Sequence, residues 1–287
     1  MMHVDALAIY PIKGTQAVPL EVAELRARGF AGDRRWMLVD DHNRFITQRE
    51  EPRLATLGAA LSETSLLMAL PGGEALHIAK PSGSSRVMVK VWKSTVDAAI
   101  ADEAVNERLS QFFERKVKLV FMDDRASRFA NPKWAGTEKP VSFADGYPIL
   151  LTSTASLHAL NEVIKGQGGV SVSMDRFRAN LVVDNLVPWD EDSWAVIQVG
   201  DLIFDVVKPC IRCIVPTQDQ KTGAMRADNQ PTRALKSIRF SADQRAKGVL
   251  FGWNIIARTE GTISLDDEIT VVERRLAWAI KPDQSAS

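Results

Sequence analysis

Cysteine is scarce in this 287-residue sequence, which contains only Cys210 and Cys213. Two cysteines cannot form a disulfide framework, and they are too few for the thiolates that an iron-sulfur cluster usually takes. A structural zinc site is not favoured either, because no second Cys-X-X-Cys motif exists and the histidines stand singly, at His3, His42, His77 and His158. Electrons for any redox chemistry must therefore come from outside the chain.

An excess of either charge is also absent, since Lys plus Arg and Asp plus Glu both number 36. No overall basic field favours nucleic acid or an anionic lipid surface as a partner. No run approaches about 18 apolar residues, and the start, MMHVDALAIYPIKG, lacks the basic head and apolar stretch of a signal peptide. We therefore expect a soluble, cytoplasmic protein with no membrane span and no nucleic-acid partner.

The composition that is present is that of an ordinary globular protein, with 45% hydrophobic and 25% charged residues. Early in the chain, apolar and polar positions alternate between turn residues, as in RRWMLVDD and RVMVKVW. This alternation predicts short strands in a meander or barrel. The segment ADEAVNERLSQFFER then changes to helical spacing, which predicts a helix whose apolar face carries Ala101, Val105, Leu109 and Phe112.

The middle of the chain contains a long connection. Residues 123–141 hold two prolines and no clean periodicity, so we place a domain boundary there. LLTSTASLHALNEVIKG then predicts a strand followed by a helix, with Ser153 or Thr154 as N-cap and Gly166 as C-cap. More strands follow, with a further helix at PTRALKSI. The sequence predicts a mainly β fold with some α (α+β), with domains at residues 1–122 and 123–275 and a polar tail at 276–287.

The segment KPCIRCIVPT holds both cysteines, three positions apart. A Cys-X-X-Cys redox pair works best at the start of a helix, whereas the flanking β-branched residues and Pro209 predict an extended, kinked segment. In a regular strand, residues three apart face opposite sides of the sheet, so the two thiols would not readily share a disulfide or a metal. Three interpretations stay open from these residues alone: inert buried thiols, a redox or metal pair, or one functional cysteine.

The run KPCIRCIVPTQDQKTG resembles the cysteine signature of MOSC domains, a fold that binds the molybdenum cofactor. The matching residues are Arg212, Cys213, Asp219, Thr222 and Gly223. Further segments match in order: YPIKG, GDRRWMLVD and FITQREEPRLATL are similar to the N-terminal β-barrel domain of the amidoxime-reducing components and of YcbX-type proteins, and DGYPILLTSTASLHALN, DRFRANLVV and LFGWNIIARTEG to the MOSC half. The resemblance implies an N-terminal β-barrel-like domain followed by a MOSC β-barrel, with the cofactor at their seam.

The resemblance implies that Cys213 is the molybdenum ligand, because a thiolate suits a soft metal and the cofactor supplies the other ligands. Arg212 would then stand beside the cofactor. Cys210 would be a bystander that packs, with a resolving thiol as the competing interpretation.

The resemblance also implies a cationic cradle for the cofactor phosphate, formed by Lys13 and Arg34 with Gly14 in the turn. Relatives often carry a hydroxyl residue at the position of Gly14, so one phosphate contact is missing here. From the residues alone, Lys13 could equally be a solvated turn lysine and Arg34 an exposed strand charge.

Further site residues implied by the resemblance lie in the MOSC half. Asp145 would lie near the metal, and Thr152 and Ser153 would bind an anion at a helix start. Arg178 and Asn180, alternate residues entering a strand, would meet the polar edge of the pterin. The structural alternatives are a turn residue for Asp145, a helix cap for Ser153 and surface ion pairing for Arg178.

The sequence therefore predicts a molybdenum-dependent oxidoreductase that reduces small N-hydroxylated substrates, such as amidoximes or hydroxylamino bases. Cys213 would tune the metal, and Asp145 would orient substrate or relay protons. YcbX-type relatives carry a ferredoxin domain after the MOSC domain, so we expect the donor here to be a separate iron-sulfur or haem protein with its reductase. The alternatives are a cofactor carrier or sulfur-handling protein with a persulfide on Cys213, and a thiol-redox protein.

Overall fold

The computed structural model of the protein describes residues 1–281, so residues 282–287 of the predicted polar tail lie outside the described residues. The strands in this range are β1 (Met2–Ile9), β2 (Val18–Leu20), β3 (Val22–Arg26), β4 (Gly29–Phe30), β5 (Trp36–Asp40), β6 (Gly58–Leu61), β7 (Ser65–Ala69), β8 (Ala75–Ala79), β9 (Arg86–Val91), β10 (Ser94–Ile100), β11 (Val117–Phe121), β12 (Ile149–Ser153), β13 (Leu181–Asp184), β14 (Trp194–Val199), β15 (Leu202–Ile211), β16 (Leu250–Ala257), β17 (Gly261–Ser264) and β18 (Glu268–Arg274).

The helices are α1 (Glu103–Phe113), α2 (Pro132–Ala135), α3 (Thr154–Gly166) and α4 (Thr232–Ile238). Short 3-10 turns occupy Pro52–Thr56, Met174–Phe177, Asp190–Ser193, Val215–Thr217 and Gln244–Ala246. Within residues 1–281, no helix is both long enough and apolar enough to cross a membrane. The mainly β fold expected from the alternating pattern is confirmed.

The largest sheet closes into a seven-stranded barrel. Its strands follow the order β13-β12-β16-β15-β14-β18-β1, and β1 pairs with β13 to close the ring, while β2 extends β1 on the outside. Only the β12–β13 pair is parallel among the barrel neighbours. The interior is filled by large apolar side chains that alternate along the strands, including Trp194, Phe204 and Trp253.

The first strand of the chain belongs to this barrel, although the other strands of the ring lie beyond residue 148. His3 pairs with Asp184 of β13 and also with Glu268 of β18, so β1 fills the gap between two later strands. Strand β3 likewise pairs with β17, and β4 pairs with the other edge of β3. The predicted domain of residues 1–122 therefore contributes its start to the barrel formed mainly by the second half.

The remaining N-terminal segment forms a separate core. Strands β5, β11, β10 and β9 make a four-stranded sheet, and β6, β7 and β8 make a three-stranded one. Helix α1 buries Leu109 and Phe113 against them, next to Trp36, while Phe112 is only partly buried. The predicted helix is present, but its buried face is shifted by one position from the predicted Phe112 to Phe113.

Helix α3 begins where the sequence predicted. Ser153 is the N-cap, and its hydroxyl accepts a hydrogen bond from the Ser156 amide at 3.2 Å. The predicted C-cap is one residue early, because Gly166 is still helical and the cap is Gln167. The helix packs Leu160 and Ile164 into a satellite core.

Candidate functional site

A cavity of about 420 Å³ opens where the barrel meets the N-terminal segment, and its lining comes from both. The predicted site residues that line it are Lys13, Gly14, Arg34, Asp145, Arg178, Asn180, Arg212 and Cys213. Thr152 and Ser153 are fully buried and do not line it. The chain thus brings eight of the ten predicted residues to one cavity, although they are up to 200 positions apart in sequence (213 − 13 = 200).

The turn after β1 aims Lys13 into this cavity. The Lys13 amide donates to the Trp36 carbonyl at 2.8 Å, and the Gly14 carbonyl accepts from the Gln48 amide group at 2.7 Å. Gly14 has φ +89°, and a Cβ there would lie 3.2 Å from a methyl group of Leu54. The missing hydroxyl residue therefore has a local cause, because both the backbone conformation and the space favour glycine.

Asp145 lies opposite, on the loop before β12. Arg128 holds this loop by donating to the carbonyls of Ser142 at 2.7 Å and Asp145 at 2.9 Å. The Asp145 carboxylate accepts from the ammonium of Lys13 and, at 3.2 Å, from the indole N–H of Trp92. Both donors come from the N-terminal half, so this carboxylate connects the two halves across the cavity.

The protonation of Asp145 is set by these neighbours. Burial by surrounding protein atoms would raise the pKa of Asp145, but the charge and hydrogen bond of Lys13, together with the Trp92 indole, hold it well below its usual range. Its side chain is nevertheless 77% exposed, because it faces the open cavity. Asp145 is therefore an ionised acceptor that a bound molecule can reach.

Arg34 and Arg178 also line the cavity, and both contact Tyr10. Their guanidinium carbons lie 4.3 and 4.2 Å from the centre of the Tyr10 ring. Both residues adopt positive φ angles, of 48° and 56°, which is uncommon for residues other than glycine. This backbone strain at two neighbouring cavity residues is typical of a functional site.

Asn180 acts as a support for Arg34. Its amide nitrogen donates to the Ala8 carbonyl at 3.0 Å and to Asp33 at 3.1 Å. Its oxygen accepts from the Leu150 amide at 3.2 Å and from Arg34 at 3.0 Å. Both donors and both acceptor positions of this side chain are in use, so it has none left for a ligand.

Arg178 keeps a free donor. Its Nη1 donates to the Thr15 carbonyl at 2.7 Å and to Gln220 at 3.0 Å, whereas the buried Nη2 has no partner within the described chain. Burial lowers the pKa of Arg178 to about 10, an effect opposed by Tyr10 and increased by Arg34. A buried cationic donor without a partner is costly, which indicates that this position suits an anionic group.

The two cysteines share the cavity, contrary to the expectation of opposite faces. Strand β15 ends at Ile211, so Cys210 is in the strand and Cys213 follows it, exposed to solvent. Arg212 donates to the sulfur of Cys210 at 3.0 Å and to the Phe177 carbonyl at 2.8 Å. Its buried Nε has no partner among residues 1–281. Cys210 is partly buried and lines the cavity.

Thr152 and Ser153 have structural positions. The Ser153 hydroxyl caps α3 and also contacts Asn185, and the buried Thr152 hydroxyl has no partner in the described part of the chain. Both lie on β12, and neither lines the cavity. The structure therefore ties Ser153 to α3 and separates both residues from the eight that line the cavity.

Several cavity residues were not found by sequence reasoning. They are Phe45, Arg49, Trp92, Tyr147 and Lys208. Trp92 was overlooked because the alternating pattern marked RVMVKVW only as a strand, yet the tryptophan begins the two-residue turn between β9 and β10. A bulky residue in a position that favours glycine or asparagine is the signal that could have identified it.

The charges of the lining suit an anion. Six cationic side chains face one carboxylate, that of Asp145, and the six are Lys13, Arg34, Arg49, Arg178, Lys208 and Arg212. Across residues 1–281, no three His, Cys, Asp or Glu side chains are close enough together to hold a metal ion unaided. A metal at Cys213 would therefore need further ligands that these side chains do not supply.

Two known domain families match the chain. Residues 1–116 match the MOSC N-terminal beta barrel domain, and residues 138–270 match the MOSC domain. The mitochondrial amidoxime-reducing component 1 of Homo sapiens is 28% identical over 280 residues, covering 93% of this chain and 82% of that protein. That of Xenopus laevis is 28% identical over 290 residues, covering 95% of this chain and 82% of its own length. The molybdenum cofactor sulfurase of Homo sapiens is 27% identical over 77% of this chain but only 27% of its own length.

Proposed function

Because the chain belongs to the family in which a MOSC N-terminal beta barrel domain precedes a MOSC domain, we propose that it binds the molybdenum cofactor and reduces N-hydroxylated compounds. The observation that carries this proposal is the convergence of an exposed thiol, a cationic cradle and an open carboxylate on one cavity. Two of the relatives described above are named for amidoxime reduction.

The residues present fit the cofactor. Lys13, Arg34 and Arg178 would hold its phosphate, because all three are cationic and line the cavity, and the buried Nη2 of Arg178 has no partner among the described residues. Arg212, whose buried Nε also has no described partner, would lie beside the cofactor. Cys213 would hold the metal through its thiolate. In this proposal Asn180 contributes indirectly, by fixing the Arg34 guanidinium at 3.0 Å.

When bound, the cofactor would supply a metal centre that accepts the oxygen of an N–OH group. Reduction of N–OH to N–H consumes two electrons and two protons and releases water. Asp145 would orient the substrate, because its carboxylate is ionised, exposed and held by Lys13. An ionised carboxylate can accept a hydrogen bond from the substrate, whereas the low pKa of Asp145 argues against its carrying a proton.

We propose that the electrons are delivered by another molecule. The described chain holds only two free thiols of its own, Cys210 and Cys213. Ile211 and Ile214, which are 41% and 37% exposed, flank Cys213 at the surface. We propose that a separate iron-sulfur or haem protein, with its reductase, approaches the cavity on this side. A cytoplasmic location, where such carriers are available, is part of the same proposal.

The second candidate is a cofactor carrier or sulfur-handling protein. The exposure of Cys213 favours it, as a surface thiol could carry a persulfide, and one relative is named a molybdenum cofactor sulfurase. The N-terminal half argues for the enzyme, because Lys13 and Trp92 fix the carboxylate of Asp145, which a carrier would not require.

The test is reduction of benzamidoxime by protein made in a host that produces the cofactor. With an artificial electron donor under anaerobic conditions, we expect benzamidine to form in the wild type and its formation to fall by at least ~10²-fold in Asp145→Asn, because the acceptor is neutralised. Cofactor retained without benzamidine formation would favour the carrier, and cyanide-labile sulfur on Cys213 would favour sulfur handling.

A further inference from the structure

Trp92 has a backbone conformation that is unfavourable for a bulky side chain. It begins the two-residue turn between β9 and β10, with φ 53°, where glycine or asparagine is preferred. Its ring is 49% exposed and yet lines the cavity. When a strained, exposed aromatic residue breaks a local rule, a functional role is the first explanation to test.

The polar edge of Trp92 contacts the carboxylate of Asp145, which lines the cavity. The indole N–H and the Lys13 ammonium both donate to Oδ1 of Asp145. Within residues 1–281, no hydrogen bond reaches Oδ2 of the same carboxylate. The two oxygens are therefore unequal, because Oδ1 is fixed by the protein and Oδ2 is left for a ligand.

The Trp92 ring packs beside an aromatic and a cationic side chain, those of Phe45 and Arg49. The Phe45 ring lies 4.8 Å from it at a tilted angle, and the Arg49 guanidinium lies 5.4 Å from its centre. All three residues line the cavity and come from the N-terminal half. Packing on one side by Phe45 restricts the rotation of the ring, which suits it to bind a flat group.

We propose that Trp92 is a substrate-binding and positioning residue. Its ring stacks on planar N-hydroxylated substrates. Its N–H fixes the Asp145 carboxylate, so that Oδ2 of Asp145 accepts a hydrogen bond from the substrate N–H. This inference rests on the proposed function and deepens it, since it assigns the preferred substrates to flat, conjugated amidoximes and hydroxylamines. An amidoxime suits the arrangement because its amino group is a donor in the plane of its conjugated group.

The test uses two ligands with the same reacting group, benzamidoxime and acetamidoxime, which differ in the aromatic ring. Their binding to the unreduced, cofactor-loaded protein is measured by calorimetry, and their turnover is measured separately. Trp92→Gly removes the ring and also relieves the positive φ, so loss of folding is not expected. Trp92→Phe keeps a flat ring but removes the N–H. Met88→Ala is the matched control, because Met88 is exposed on the same hairpin but does not line the cavity.

We expect Trp92→Gly to weaken benzamidoxime binding about tenfold and acetamidoxime binding less than about threefold. We expect Trp92→Phe to restore benzamidoxime binding to within about threefold, while kcat for both substrates falls about three- to tenfold because Asp145 has lost a donor. Met88→Ala should change neither quantity.

The proposal would be overturned if Trp92→Gly weakened the binding of both ligands equally, or weakened the binding of neither. Failure of the proposed function is distinguishable from this outcome. If the wild type turns over neither amidoxime, reduction is excluded, and the difference in binding between the two ligands still decides the role of the Trp92 ring.

Discussion

At the scale of single residues, the roles of the polar side chains depend on which of their donors and acceptors are already used. Asn180 and Arg178 are two positions apart and line the same cavity, yet the first is saturated and the second keeps a buried free donor. The sequence places both residue types near the site but cannot show this difference, because the partners are distant segments such as Ala8 and Gln220.

Glu191 is a buried carboxyl group away from the cavity whose ionisation should affect stability. Its Oε1 accepts from the Ser156 hydroxyl at 2.7 Å, and its Oε2 has no partner among the described residues. Burial raises the pKa of Glu191 from 4.5 to about 7, with Asp192 adding to the rise and Arg239 opposing it. In the folded state this group therefore holds its proton up to near neutral pH.

Because the pKa is higher in the folded than in the unfolded state, the stabilising contribution is complete below pH 4.5 and is lost as the pH rises through about 7. We expect the free energy of unfolding, measured with urea, to fall between pH 5 and pH 8. The fall should be roughly 2 kcal/mol larger for the wild type than for Glu191→Gln. Identical pH dependence in the two proteins would show that Glu191 is ionised at both pH values.

At the scale of elements, the sequence around α3 predicts where the helix begins but not what its first hydroxyl groups bind. The cap residues and the apolar spacing predict the helix start because they act within one turn. The same hydroxyls are also natural anion ligands, and the sequence cannot distinguish the two uses. The structure shows Ser153 capping the helix, away from the cavity.

Ser153→Ala should therefore lower the free energy of unfolding by about 1 kcal/mol and leave the cofactor content unchanged. Thr154→Ala, one position later and without the cap hydrogen bond, is the control and should change stability by less than about 0.5 kcal/mol. Chemical unfolding and molybdenum analysis of the same samples measure both quantities. Loss of molybdenum at unchanged stability would instead assign Ser153 to the cofactor.

Strand β15 shows the limit of a periodic pattern. The prediction that the two cysteines face opposite sides assumes a regular strand, but the pairing with β16 shifts between Val206 and Lys208 and again between Pro209 and Ile211. The strand then ends at Ile211, before Cys213. Bulges and strand ends depend on the partner strand, so the sequence of one strand does not reveal them.

At the scale of the whole molecule, the barrel is closed by the first strand of the chain. Alternation in HVDALAIYPI predicts that strand, but nothing local indicates that it pairs with β13 and β18, more than 170 residues away (His3 with Asp184, 184 − 3 = 181). The consequence is functional, because β1 leads directly into the turn that carries Lys13. The cationic cradle is thereby attached to the barrel that carries Cys213.

The central claim is that this shared cavity holds a molybdenum cofactor with Cys213 as its protein ligand. The most direct test is the metal content of wild type, Cys213→Ser and Cys210→Ser, each purified from a host that makes the cofactor. We predict about one molybdenum atom per chain in the wild type, a loss or an altered metal coordination spectrum in Cys213→Ser, and much less effect in Cys210→Ser. Wild-type protein without molybdenum, or Cys213→Ser with unchanged content and spectrum, would contradict the account.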